Sequence, residues 1–202
     1  RIHDLTNPAW RDELEILVGS AGDRIAFLTV PKARSVADIE EALAALRATE
    51  AKFGLGREIP LHALAETHGA VHDAWKIAAL PGIETLDFGL MDFVSEHQGA
   101  IPGLAMRSPQ QFEHPLITRA KCEVSAAALA HGLIPTHNVT TVLDAPELAE
   151  ADARCARERF GYLRMWSIHP AQIAPILAGM RPDAAAIDEA AAIVCAAQDA
   201  GW

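Results

Sequence analysis

The sequence predicts an α/β fold of parallel strands alternating with helices, and three observations carry that expectation. Short β-like runs alternate with amphipathic helical runs along the chain. The β-like runs are apolar along nearly their whole length, the pattern of strands buried on both faces and paired in parallel. Each also finishes in a polar residue with chemistry to offer, as strands do on the functional face of such folds. A doubly wound open sheet and a (β/α)8 barrel both meet these observations. No GxGxxG follows the first strand, which disfavours a dinucleotide fold. Five strands are too few to close a barrel; three more before Arg1 would complete the count.

The elements follow in order. Arg24–Lys32 reads as the first strand, opened by Gly22-Asp23 and ended at Pro31-Lys32. A helix follows, with Ser35 as N-cap, Asp38 three residues on, and apolar residues Val36, Ile39, Leu43 and Leu46 at helical spacing. Ile59–Thr67 is the second strand, and the helix after it stops before Pro81-Gly82. Ile83–Phe93 reads as the third strand, followed by an irregular Gly- and Pro-bearing stretch. An Ala-rich helix covers about Leu116–Ala130. Leu133–Thr140 is the fourth strand, and a helix closed by Gly161 follows it. Tyr162–Pro170 is the fifth strand, and helices complete the chain.

Composition narrows the function. Half of the 202 residues are hydrophobic and 22% are charged, so a sizeable core is expected. A net charge of −10 argues against nonspecific nucleic-acid binding, which needs clustered Lys and Arg. Cys122, Cys155 and Cys195 form no CxxC pair and read as free thiols of a reducing, cytoplasmic compartment. No apolar run reaches the roughly 18 residues of a membrane span, and no leader pattern is seen.

The strand ends hold the candidate chemistry: Lys32, then Glu66-Thr67-His68, Asp92, His137-Asn138, and Ser167 with His169. Lys32 alone reads equally well as an exposed lysine, and His169 as a satisfied structural histidine. Glu66 and Asp92 are sharper. Two carboxylates at neighbouring strand ends must share a proton, pair with cations or bind a metal. Hard oxygen donors with few other protein ligands suit Mg²⁺; a metal-free acid/base pair is the alternative. The histidines lack zinc spacing, no HExxH occurs, and no GxSxG supports acyl chemistry.

The segments "RIH" at Arg1, "VPK" at Val30–Lys32, "AETHGA" at Ala65–Ala70, "FGLMDF" at Phe88–Phe93 and "SIHPAQI" at Ser167–Ile173 resemble, in order, those of the HpcH/HpaI aldolase and citrate lyase β-subunit-like family, which includes malyl-CoA lyases. The resemblance implies a (β/α)8 TIM barrel of the phosphoenolpyruvate/pyruvate type. It implies one domain over residues 1–202, incomplete at its N-terminus and without the C-terminal lid of some members. It implies Mg²⁺, or Mn²⁺, held by Glu66 and Asp92, and a homotrimer or hexamer. Arg1 matches the family's arginine that contacts the substrate carbonyl or enolate oxygen; His3 stands where the family word has Asn. Backbone N–H groups of Gly89, Leu90, Met91 and Asp92 are the expected carboxylate site. The implied activity is carbon–carbon cleavage of a 2-keto or 2-hydroxy acid or its CoA thioester, with thioester hydrolysis or a non-catalytic barrel subunit as alternatives. The general base is unassigned; His97 and His137 are candidates on chemistry alone.

Overall fold

The computed structural model describes residues 1–202 and contains one parallel sheet of five strands in sequential order. They are β1 (Leu28–Val30), β2 (Leu61–Ala65), β3 (Ile83–Phe88), β4 (Ile134–His137) and β5 (Arg164–Met165). Each pairs only with its neighbours in sequence, through registers such as Val30 with Ala63, Ala65 with Phe88, Leu86 with Pro135 and His137 with Met165. Sequential parallel order with helices between successive strands is the wall of a (β/α)8 barrel, as expected; these five strands form an open arc of it. All five residues of β2 are buried, as its nearly continuous apolar run predicts; the exception, His62, is buried as well and pairs with Glu84.

The strands are shorter than their apolar runs. Only residues flanked by partners on the ladder qualify, and β5, at the edge of the arc, keeps two. Helix α1 (Trp10–Ala21) precedes the strand–helix units that the sequence predicts and buries Trp10, Leu14 and Val18 along one face. Helix α2 (Val36–Phe53) has the expected cap: the Asp38 N–H donates to Ser35 Oγ at 3.4 Å. The Asp38 carboxylate reaches back to the N–H of Arg34, at 2.8 Å, so the box closes one residue earlier than Ser35. α2 ends at Gly54 with φ +65°, where the following N–H of Leu55 returns to the Glu50 carbonyl at 2.9 Å.

After β2 come the short helices α3 (His68–His72) and α4 (Ala74–Ala78). The third strand departs from expectation. It ends at Phe88, and Leu90–Glu96 forms helix α5, so Asp92 stands in the first turn of a helix and not at a strand end. The run "FGLMDF" is apolar enough to satisfy either period. The structure decides because the Gly89 N–H makes the last bond to β2, at Ala65, and the Gly89 carbonyl then accepts from Phe93. Helices α6 (Pro115–Ala130), α7 (Pro146–Phe160), α8 (Ile173–Met180) and α9 (Ala184–Asp199) complete the chain. No helix is long and apolar enough to cross a membrane.

Candidate functional site

Glu66 follows the last residue of β2 and is only 3% exposed. Its surroundings explain the residues beside it. The Thr67 hydroxyl donates to the Ala33 carbonyl at 2.5 Å and accepts from the Ala70 N–H at 3.0 Å, so it caps α3 and ties it to the loop after β1. At Gly69 a Cβ would fall 1.7 Å from the Arg34 carbonyl oxygen, so only glycine fits. At Gly89 a Cβ would fall 2.4 Å from Glu66 Oε2. The "ETHG" turn and the "FG" turn thus interlock, and Glu66 lies against the bare backbone of the next unit.

Lys32 addresses both carboxylates. Its N–H donates to Glu66 Oε1 at 2.9 Å, and its ammonium lies 3.1 Å from Asp92 Oδ1. Its backbone has φ +51°, uncommon for a residue with a side chain. Burial, and then the charge of Asp92, push the Glu66 carboxyl up to about 7; the Lys32 N–H and the Arg1 charge act in the opposite direction. The carboxylate of Asp92 raises the Lys32 ammonium. Lys32 supplies one ammonium to this pair of carboxylates, at Asp92, while Glu66 receives only a backbone N–H. Two converging hard oxygen donors with a glycine clearing the space beside them fit a divalent cation of the Mg²⁺ type.

The residues expected to hold the metal and the substrate line one cleft of about 340 Å³: Arg1, Glu66, Gly89, Leu90, Met91 and Asp92. The Gly89 N–H is taken by Ala65, whereas those of Leu90, Met91 and Asp92 stand in the first turn of α5, where no helical carbonyl serves them. Asn138, Val139 and Thr141, after β4, form the facing wall with Trp166, Ser167 and Ile168, after β5. Of these, the polar strand ends Asn138 and Ser167 were visible in the sequence; Val139, Thr141, Trp166 and Ile168 carried no signal. His3, in place of the family's Asn, pairs with Glu13 through both its ring and its N–H.

The facing wall is fastened from behind. Gln172 is buried; its amide donates to the carbonyls of Thr140 (2.8 Å) and Val142 (3.2 Å) and accepts from the Ile168 N–H (3.1 Å). That is the physical content of the "IHPAQ" segment. His169, at the start of the same turn, accepts from the Ala171 N–H at 3.2 Å and is exposed, a structural role. Deeper lies a polar cluster of which the sequence announced His137 and Asn138 but not Lys121, Gln111 or Asp152. Lys121 donates to Gln111 Oε1 (2.9 Å) and meets His137 Nε2 (2.7 Å), over the Phe112 ring. Gln111 Oε1 also accepts from Asn138, at 2.9 Å. Asp152 accepts from Ser108 (2.5 Å) and Thr140 (2.6 Å). Burial, and then Lys121, push the His137 imidazole well below its ordinary value, and burial lowers the Lys121 ammonium.

His137 is therefore enclosed behind the wall. His97 bonds to the Phe93 carbonyl at 2.7 Å and packs against His68. Neither of these base candidates lines the cleft.

A model of the HpcH/HpaI aldolase/citrate lyase family matches residues 1–159. The chain belongs to this family. Among its relatives, an L-malyl-CoA/β-methylmalyl-CoA lyase of Rhodobacter capsulatus is 26% identical over 99% of this chain and 65% of its own length. A solved citrate lyase from Burkholderia xenovorans LB400 superposes with a TM-score of 0.94 at 49% identity, over 100% of this chain and 63% of that one. The chain thus spans less than two thirds of the length of either relative. The citrate lyase β subunit of Mycobacterium tuberculosis, solved with oxaloacetate and magnesium, matches at TM-score 0.71 and 23% identity, covering 90% of this chain and 72% of that one. At that identity it speaks for the fold. The barrel architecture that the family resemblance implies is that of the family's solved members.

Proposed function

We propose that this family member is a Mg²⁺-dependent carbon–carbon lyase acting on a 2-keto or 2-hydroxy acid or its CoA thioester. The observation that carries the reading is the convergence of Glu66 and Asp92 across Gly89 in one cleft with Arg1. Glu66 and Asp92 would hold the ion, with Mn²⁺ as a substitute. When bound, the ion supplies concentrated positive charge to substrate oxygens on which negative charge develops as the C–C bond breaks. Arg1 presents a guanidinium at the same cleft and would stabilise the same developing charge. The first-turn N–H groups of Leu90, Met91 and Asp92 would orient a substrate carboxylate. The apolar residues Leu64, Phe88, Leu90 and Val139 exclude water and strengthen these interactions.

Titration calorimetry with Mg²⁺ tests the site. Glu66→Ala and Asp92→Ala are each expected to abolish measurable binding. Unchanged affinity in both variants would sink the reading.

A further inference from the structure

We infer that Lys32 is the resident counter-cation of the carboxylate pair, and that a divalent ion must displace its ammonium from Asp92 to bind. The inference rests on the proposed metal site but concerns a residue to which that reading gives no role. Three observations converge on it. The ammonium lies 3.1 Å from Asp92 Oδ1, on a carboxylate expected to hold the ion. The same residue's N–H donates to Glu66 Oε1 at 2.9 Å, so the side chain is rooted between the two donors. The backbone between these two contacts has φ +51°, a conformation uncommon for a residue with a side chain.

The ammonium occupies Asp92 Oδ1, so an ion that takes that oxygen competes with it directly, and the repulsion of two cations at contact distance disfavours holding both there. The Lys32–Asp92 pair is half exposed on both sides, which keeps the competition weak enough for an ion to win. Asp4 and Arg1 share the adjoining cavity with Lys32 and Asp92, and Asp4 gives the displaced ammonium a second acidic neighbour. Metal-free protein thus keeps its site closed by its own cation, and loading is an exchange of one cation for another.

The test removes the ammonium alone. Lys32→Met keeps the N–H to Glu66, whereas Lys32→Arg keeps the charge. By calorimetry Lys32→Met is expected to bind Mg²⁺ about three- to tenfold more tightly than the parent protein, and Lys32→Arg within about twofold of it. Thermal unfolding supplies the second readout: Lys32→Met should melt lower than the parent without Mg²⁺ and no lower at saturating Mg²⁺. Where Lys32→Met does not fold, Lys32→Asn, a residue type that tolerates positive φ, replaces it. Equal or weaker Mg²⁺ binding by the folded variant overturns the inference and leaves the metal site standing. A melting deficit that persists at saturating Mg²⁺ overturns it too. If Glu66→Ala and Asp92→Ala bind Mg²⁺ like the parent, the metal reading fails and takes this inference with it.

Discussion

Gly89 and Glu66 are in contact across the boundary between two strand–helix units: a methyl group on Gly89 would sit 2.4 Å from Glu66 Oε2 and 2.5 Å from its Cβ. The glycine has φ −102°, so its role is space and not an unusual backbone angle. Gly89→Ala is expected to displace the Glu66 side chain, costing about 1–3 kcal/mol of stability. It should weaken Mg²⁺ binding by at least an order of magnitude. Urea denaturation and calorimetry on the same preparation separate the two effects; a variant that binds Mg²⁺ normally would contradict the contact.

Glu66 sets a pH dependence. Its folded-state pKa of about 7 lies above the ordinary 4.5, so between those values the folded protein holds a proton that the unfolded chain has released. Its contribution to stability is therefore present below pH 4.5 and falls as the pH rises to about 7. Without divalent ions Glu66→Gln should remove that fall and gain on the order of 3 kcal/mol at pH 8. Saturating Mg²⁺ should reverse the order, because only the parent binds the ion. Chemical denaturation at pH 5 and pH 8, with and without Mg²⁺, checks both signs.

At Gly69 a Cβ would fall 1.7 Å from a backbone oxygen, that of Arg34, which cannot swing aside as a side chain can. Gly69→Ala is expected to cost about 3 kcal/mol or more, exceeding Gly89→Ala in damage to stability. Comparing the two denaturation midpoints tests the ranking.

Lys121 gives the opposite slope to Glu66. Its folded-state pKa lies well below 10.5, so the unfolded chain binds the extra proton and the folded protein gains stability as the pH rises towards that value. Lys121→Met lacks this gain, so its deficit relative to the parent should be larger at pH 9 than at pH 7. Equal deficits at the two pH values would show that Lys121 does not titrate in this way.

What the sequence made legible was local. The alternation of apolar runs with helical periods placed all five strands, because two-sided burial favours a nearly continuous apolar pattern. Glu66 stood out because a carboxylate ending such a run needs a partner. Asp92 was found but put on the wrong element: Gly89 breaks the ladder without breaking the apolar pattern, and nothing in "FGLMDF" distinguishes the two periods. Lys32 carried no signal of its positive φ, since that position is usually marked by glycine or asparagine. Lys121 and Gln111 were invisible for another reason: they come from α6 and the turn before it, and reach His137 and Asn138 only through packing on β4.

Gln172 gives the cleft a division of labour. It bonds three loop backbone groups while contributing nothing to the cleft surface. The residues that line the cleft on that wall, Val139, Thr141 and Ile168, are thereby relieved of holding the wall up. Exchanging them one at a time is expected to leave the frame standing, so under the proposed function they are the positions at which to retune substrate preference by directed evolution.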